Sequence, residues 1–480
     1  MKIALIQVNV LDIDNLNPPL GILYIGTILK NKGHEVKCFD EDPEHVDLIP
    51  KLREFNPDAI GLSFMTPSYE RAYYFCKSLR KKFKHTTIFA GGIHPTISSE
   101  KTMKEMELDF IVIGEGERTI CEALENIGSL KNVKGIMYRK DGKIINNKSR
   151  ELIKNLDEIP IPDRNLIENY KEKYIVYPGM IRGHPCKTTT VITSRGCPYN
   201  CLFCCTKLMF GQKTRYRSID NVIEEIKGLV KNYNIEGIWF ADDTFTLDEK
   251  RVIEFCRALK KENLKLVWAC QARVNTLTEN MLKEMKEAGC IQLDFGIESG
   301  SDKILKVLKK NTNVEMIKNA FKLTKKHKMR TLATFMVNNP YETKEDLKMT
   351  LRLAKEIKSD FTTFFFCTPF PGTEVYKLAE EKGWLKDSGN FSDKWNVRTG
   401  VYPVMSNDNI TKEELIKIKS KMQNTFFIRN YVYSMNIKFT IRLMYQLLKQ
   451  PKLIFKTLRE LKRTKKIDRA FEVIFSEVKL

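Results

Sequence analysis

A chain of 480 residues, 42% hydrophobic and 29% charged, is long enough for two or three domains, each with its own core. No run of about 18 uncharged apolar residues occurs, so no transmembrane helix is expected, and the start Met1-Lys2-Ile3-Ala4-Leu5-Ile6 reads as a strand rather than a signal peptide. The net charge of +21 invites an anionic partner, but no RNA-binding module or interleaved aromatic–basic stripe supports nucleic acid, and twelve cysteines, scattered apart from one cluster, suit a reducing cytoplasm.

Residues 1–125 alternate short apolar strands with helical stretches. Strands are expected at Lys2–Val8, Glu35–Phe39, Asp58–Ser63, Thr86–Ala90 and Asp109–Ile113, with helices at Leu20–Lys32 and Glu70–Phe83. This alternation predicts an α/β domain with a doubly wound parallel sheet, which binds ligands at the carboxyl ends of its strands. The small and polar residues stand there: Ser63 and Thr66 in the run Gly61–Pro67, Gly91-Gly92-Ile93-His94-Pro95-Thr96, and Gly114-Glu115-Gly116-Glu117. Ser63, Thr66, Gly91, Gly92, His94, Gly114 and Glu115 are therefore candidate binding residues. His94 has two readings, one facing a ligand and one hydrogen-bonding its own turn. Residues 126–186 read as a linker with a hairpin about Asp141-Gly142, closed by the proline-rich Ile159–Arg164.

From 187 to 385 strands and helices alternate again, with strands at Thr189–Thr193, Gly237–Ala241, Val267–Ala272, Gln292–Gly296, Thr331–Val337 and Thr362–Cys367. Six βα units predict a partial (β/α)6 barrel, open on one side, with its site at the carboxyl ends of the strands. After the first strand comes Thr193-Ser194-Arg195-Gly196-Cys197-Pro198-Tyr199-Asn200-Cys201-Leu202-Phe203-Cys204. Its C-x3-C-x2-C spacing sets three soft thiolates on one loop, suited to iron–sulfur chemistry. Three ligands leave one iron of a cubane open. A structural zinc site would show a second pair, and none is nearby. Cys205 falls outside the spacing. At later strand ends stand Asp242 and Asp243, Arg273, Glu298 and Ser299, the run Asn338-Asn339-Pro340-Tyr341-Glu342-Thr343, and Thr368–Glu374. Cys367 reads better as a buried cysteine than as a reactive one. Residues 386–480 form a basic, helical C-terminal region, and Leu415, Ile418, Met422 and Phe426 share one helical face. This tail reads as a cap on the barrel or as a surface lying on anionic membrane.

The cysteine loop, including Phe203 before its last cysteine, closely resembles that of the radical S-adenosylmethionine (SAM) superfamily. Pro18-Pro19-Leu20-Gly21, Lys32-Gly33-His34-Glu35-Val36, the Ser63–Pro67 loop, Gly91–Thr96 and Gly114–Glu117 are similar to the cobalamin-binding domain in front of many such enzymes. That group includes class B methyltransferases and anaerobic magnesium-protoporphyrin ester cyclases. The resemblance implies a [4Fe-4S] cluster on Cys197, Cys201 and Cys204, whose open iron chelates SAM, and an electron that cleaves SAM to a 5′-deoxyadenosyl radical. It implies SAM contacts from Asp242 and Asp243 and from the Glu298–Ser299 loop. Relatives usually show G-x-P-G-E-T where this chain has Asn338 and Tyr341 in place of both glycines. Cobalamin is implied for the first domain, although the D-x-H-x-x-G motif, whose His ligates cobalt from below, is absent.

The implied reaction is methyl transfer or other carbon–carbon bond chemistry on an unactivated carbon of a small-molecule or lipid substrate. A low-potential donor such as flavodoxin or ferredoxin would feed it. The expected location is cytoplasmic, with peripheral membrane contact through the tail, and no nucleic acid is expected as a partner. No side chain is singled out as acid, base or nucleophile. Two alternatives stand beside this reading: a cobalamin-free radical SAM enzyme acting on lipid or hydrocarbon chains, and an iron–sulfur redox or nucleic-acid-binding protein.

Overall fold

The computed structural model describes residues 1–9, 17–40, 46–175, 186–385 and 402–434, with single residues 181, 184, 391, 392, 395, 455 and 459. In the first domain β1 (Lys2–Val8) lies between β2 (Glu35–Phe39) and β3 (Ala59–Phe64), and β4 (Thr87–Gly91) and β5 (Phe110–Val112) continue the parallel sheet. Ile3 and Leu5 of β1 feed one core, while Ala4, Ile6 and Val8 feed the other. That split follows from the two-residue period of a strand covered on both faces. The order β2-β1-β3-β4-β5 places a topological switch point beside β1, where a crevice opens at the carboxyl ends of the strands.

The hairpin turns at Asp141 and Gly142, whose φ values of 50° and 74° match a type I′ turn. Its strands, β6 (Ile136–Lys140) and β7 (Lys143–Asn146), do not stand alone in a linker. β6 pairs antiparallel with β5, so the first sheet has seven strands. Ile136, Met137 and Tyr138 are all buried, and the otherwise open edge of β5 provides the cover they need.

The second domain begins with β8 (Thr188–Val191), followed by a short antiparallel arm of β9 (Ser194–Arg195) and β10 (Arg215–Tyr216) that brackets the cysteine loop. Next come β11 (Gly237–Phe240), β12 (Val267–Ala272), β13 (Cys290–Glu298), β14 (Arg330–Val337) and β15 (Phe361–Phe366). They form one parallel six-stranded sheet from β8 at one edge to β15 at the other. These bounds follow the apolar runs of the sequence closely, because each run is buried between helices and barrel interior.

The helix Lys412–Ser434 lays Leu415, Met422 and Phe426 into the barrel core. It also serves the edge strand directly. Asn430 Oδ1 accepts from the Thr362 N–H at 2.9 Å, Asn430 Nδ2 donates to the Thr362 carbonyl at 2.6 Å, and Gln423 Oε1 accepts from the Phe364 N–H at 3.0 Å. These amides replace the backbone partners a seventh strand would supply. This part of the tail is a cap. The apolar positions Ile437, Ile441, Met444, Leu448, Leu453, Ile454 and Leu458 lie outside the described residues. Among those described, no helix is long and apolar enough to cross a membrane. Asn430→Ala strands a buried N–H and carbonyl, so urea melts should show a loss of about 1–3 kcal/mol.

Candidate active site

The cysteine loop leaves β9 through Gly196, whose φ of +88° suits glycine. A Cβ there would stand 2.5 Å from the Lys213 carbonyl, so the turn has no room for another residue. The loop is pinned to the barrel from both sides, since the Leu202 N–H donates to the Leu308 carbonyl and the Val375 N–H to the Leu202 carbonyl. Cys201 is buried, and Cys197 and Cys204 are partly exposed. Arg273, at the end of β12, points a nitrogen at Cys201 Sγ from 3.6 Å and stacks its guanidinium 3.6 Å over the Tyr199 ring. Its second terminal nitrogen is buried without a partner. Among the described residues no three His, Cys, Asp or Glu side chains converge on a point that would hold a single metal ion. A cubane asks for something else: separate thiolates, each on its own iron, and a cation suits its negative charge. The donor set fits that group.

The two neighbouring aspartates behave differently. Asp242 is buried and turned inward, accepting from the Thr193 N–H at 2.6 Å, the Thr193 hydroxyl and the Ser194 N–H. It secures the entry to the cysteine loop, and both its oxygens are used there. Asp243 is exposed, accepts from the Thr206 hydroxyl at 2.8 Å, and its charge bears on Cys204. Asp243 is thus the carboxylate of the pair at the cysteine face.

Glu298 ends β13 at a φ of +69° and pairs with the buried Lys310 at 2.8 Å. The Lys310 ammonium lies 5.9 Å from the centre of the Phe203 ring, which brings this ion pair to the cysteine loop. A bulky residue held in the left-handed region marks strain, and strain of this kind gathers at functional sites. Ser299 faces elsewhere, since its hydroxyl accepts from the Ser301 N–H and lies 3.3 Å from that of Thr350. Lys310 was not legible as a site residue, being one lysine in a lysine-rich run.

Asn338 and Tyr341, which occupy the glycine positions, keep glycine backbone conformations with φ of 67° and 61°. The amide oxygens of Asn338 and Asn339 are buried without partners. Glu342 is wholly buried beneath them, and burial pushes its carboxyl up to about 8 against the Asn339 hydrogen bonds. In the unfolded chain it ionises near 4.3. Folding therefore takes up a proton between these values, and stability falls as pH rises from about 4.3 towards 8. Glu342→Gln should flatten that fall, read as Tm against pH. Cys367 is fully buried, and burial raises its thiol well above the usual range.

In the first domain a cavity of about 140 Å3 opens at the switch point, between Gly21, Gly61, Ser63, Gly91, Gly92 and Gly114. Cβ atoms added at Gly21 or Gly114 would meet nothing within 4 Å, and one at Gly92 would come 3.0 Å from Ser63 Oγ. Phe89, Val112 and Ile120 complete an apolar slot suited to a flat aromatic base, as a corrinoid tail carries. Thr66 and His94 lie apart from it. His94 Nδ1 is 3.0 Å from Thr66 Oγ1, and the ring packs among Phe64, Tyr69 and Phe391. Burial lowers the His94 pKa to about 3, so the imidazole is neutral.

The two domains meet through buried charge. Glu115 binds Arg215 at 2.9 Å and Arg195 at 3.0 Å and accepts from the Ile153 N–H at 2.8 Å, while Glu117 also binds Arg195. Burial alone would raise Glu115, but these partners outweigh it and hold the carboxyl below its ordinary value. The Glu115 charge is thus spent on the seam. Arg195, Met209 and Phe210 of the second domain also line the slot, so the cavity is built from both sides.

Residues 191–354 match the Radical SAM superfamily and residues 6–124 match the B12 binding domain. An uncharacterized methyltransferase of Pyrococcus horikoshii is 36% identical over 419 residues, covering 86% of this chain and 88% of that protein. The anaerobic magnesium-protoporphyrin IX monomethyl ester cyclase of Rubrivivax gelatinosus is 28% identical over 86% of this chain and 74% of its own length. Among solved structures, the cobalamin-dependent SAM radical enzyme OxsB with aqua-cobalamin and SAM bound superposes with a TM-score of 0.74 at 19% identity, over 99% of this chain and 74% of that one. The radical SAM methyltransferase TsrM from Kitasatospora setae gives 0.68 at 17%, over 80% and 77%. With a cubane-type thiolate loop in one domain and an apolar slot for a flat base in the other, this chain belongs to the cobalamin-dependent radical SAM enzymes, whose cofactors are a [4Fe-4S] cluster, SAM and cobalamin.

Proposed function

We propose that this enzyme transfers a methyl group to an unactivated carbon of a small-molecule or lipid substrate at the mouth of the barrel. The observation that carries the reading is the shared slot: Arg195, Met209 and Phe210, which flank the cysteine loop, form one wall of the first-domain cavity. A corrinoid seated there would lie against the loop that holds the cluster. When bound, the cluster supplies the electron that splits SAM and the corrinoid supplies the methyl group.

The residues divide the remaining work. Cys197, Cys201 and Cys204 would hold the cluster, with Arg273 offsetting its charge. Asp243, with Asp242 fixing the strand entry behind it, would receive the SAM amino group, and the Glu298–Lys310 pair and the Asn338–Asn339 oxygens would orient the rest. Ser63, Gly91, Gly92 and Gly114 would cradle the corrinoid tail. Methyl transfer is favoured over ring closure because the methyltransferase relative shares 36% identity and the cyclase 28%. A flavodoxin- or ferredoxin-type donor would deliver the electron, and the basic residues after Ser434 would bring the enzyme to anionic membrane for a lipid substrate.

The test is anaerobic purification with cobalt analysis, followed by incubation with methyl-labelled SAM and candidate extracts. Label in a carbon-bound methyl, together with 5′-deoxyadenosine, supports the reading. Stoichiometric SAM cleavage without bound cobalamin would replace it with the cobalamin-free alternative.

A further inference from the structure

Glu117 is 5% exposed and uses one carboxylate oxygen on Arg195. Its other oxygen, Oε2, is buried with no hydrogen-bond partner, and the residue lines the first-domain slot. A carboxylate oxygen shut away from water without a donor is costly. Apart from Ser63 and Arg195, which already holds the other Glu117 oxygen, the slot wall is apolar, glycine or the carboxylate of Glu115. A ligand seated in the slot can bring the missing donor. Of the groups on a corrinoid tail, the ribose hydroxyl of the nucleotide is the neutral donor expected beside a base seated in this slot.

Arg195 links Glu117 to the cluster loop. It stands two residues before Cys197 on β9, with its guanidinium 5.5 Å from the Tyr24 ring of the first domain and 5.6 Å from Phe210 beyond the cysteine loop. Glu115 and Glu117 grip it from the first domain. Arg195 is itself held in place by pairing with Arg215 of β10, and only Gly196 separates it from Cys197. With the far side of the loop anchored at Leu202 by the Leu308 carbonyl and the Val375 N–H, Arg195 is the point where the first domain touches the strand that leads into the cysteines.

We propose that Glu117 binds the nucleotide loop of cobalamin and that Arg195 relays the filling of the slot to the cluster loop, so that the two cofactor sites are energetically coupled. Coupling of this kind is reciprocal: whatever corrinoid binding does to the cluster loop, the assembled cluster does to corrinoid affinity. Both residues are positioning and binding residues here, and neither takes part in bond making. The inference rests on the assignment of the slot to the corrinoid.

The test uses the full-length protein with its cluster reconstituted, as wild type, Glu117→Gln and Arg195→Lys. The probes are hydroxocobalamin and cobinamide, which lacks the nucleotide. Wild type should bind cobalamin, and the signal of the reduced cluster in electron paramagnetic resonance should change when it does. Glu117→Gln should weaken cobalamin about tenfold or more while leaving cobinamide within about twofold, and at saturating cobalamin the spectral change should shrink. Arg195→Lys should bind cobalamin yet lose the spectral change, because an ammonium cannot span both carboxylates as the guanidinium fork does. Unchanged cobalamin affinity in Glu117→Gln, or an equal loss for both probes, overturns the proposal, as does a wild-type spectral response in both variants. Failure of the wild type to bind cobalamin at all would instead overturn the corrinoid assignment of the slot, and this inference with it. Retained cobinamide binding shows that Glu117→Gln is folded.

Discussion

Replacing Cys201 with alanine should remove the cluster absorbance and abolish 5′-deoxyadenosine formation. With Cys197, Cys201 and Cys204 each assigned to a different iron, no neighbour can substitute without moving the loop. The loop is held on both sides by backbone bonds to Leu308 and Val375, so it cannot slide by a residue to bring Cys205 into register. Arg273 would then face an empty position with a buried, half-satisfied guanidinium, and some loss of stability should accompany the loss of cluster. Cys197→Ala and Cys204→Ala should behave alike. Cys205→Ala should keep most of both signals, since Cys205 stands just before the short helix Thr206–Phe210, makes no capping bond with its side chain and lies outside the spacing. A protein that keeps its cluster as Cys204→Ala and loses it as Cys205→Ala would show that the ligands have been misassigned.

The largest effect on stability is expected at Glu225, which no motif marks. It is 2% exposed on the helix Ile219–Tyr233, with Arg164 at 2.8 Å on one oxygen and Arg217 at 2.5 Å on the other. Arg164 comes from the segment between the domains and also donates to the Thr190 carbonyl of β8. Removing one member of such a group leaves uncompensated charge in the interior, a loss of about 3–5 kcal/mol. Glu225→Ala should show this in urea melts at pH 7, and Glu225→Gln, which keeps the acceptor oxygen, should lose less.

The same carboxylate shapes the acid limb of stability. Burial pushes Glu225 up, but Arg164 and Arg217 outweigh it and keep the carboxyl below its ordinary value. Its contribution is thus present above the unfolded carboxylate pKa near 4.3 and disappears as pH falls through the lower folded value. Glu225→Ala should therefore flatten the stability profile below about pH 4.3. A variant as stable as wild type at pH 7 and equally acid-sensitive would show that the triad contributes nothing net.

The sequence by itself determined the elements and the cluster chemistry. Apolar runs alternating with amphipathic helices are a property of near neighbours, and they located five strands of the first sheet and six of the barrel to within a few residues. The C-x3-C-x2-C loop was equally local, because its ligands share one turn. The Asp141-Gly142 turn was legible for the same reason, although the sheet it joins was not. Tertiary structure decided what nearby carboxylates and imidazoles do. Asp242 and Asp243 are adjacent, yet one is spent on the Thr193–Ser194 backbone and the other is exposed beside the cysteines. Thr66 and His94 share the strand ends with Ser63 and Gly92 but pair with each other outside the slot. Glu225 acquired its importance from Arg164, 61 residues away, as well as from Arg217 on the chain nearby, and Glu117 and Arg195 from each other across 78 residues. Periodicity reports which face of an element is apolar. The partner that satisfies a buried charge is set by contacts between distant segments, and these exist only once the two sheets have packed together.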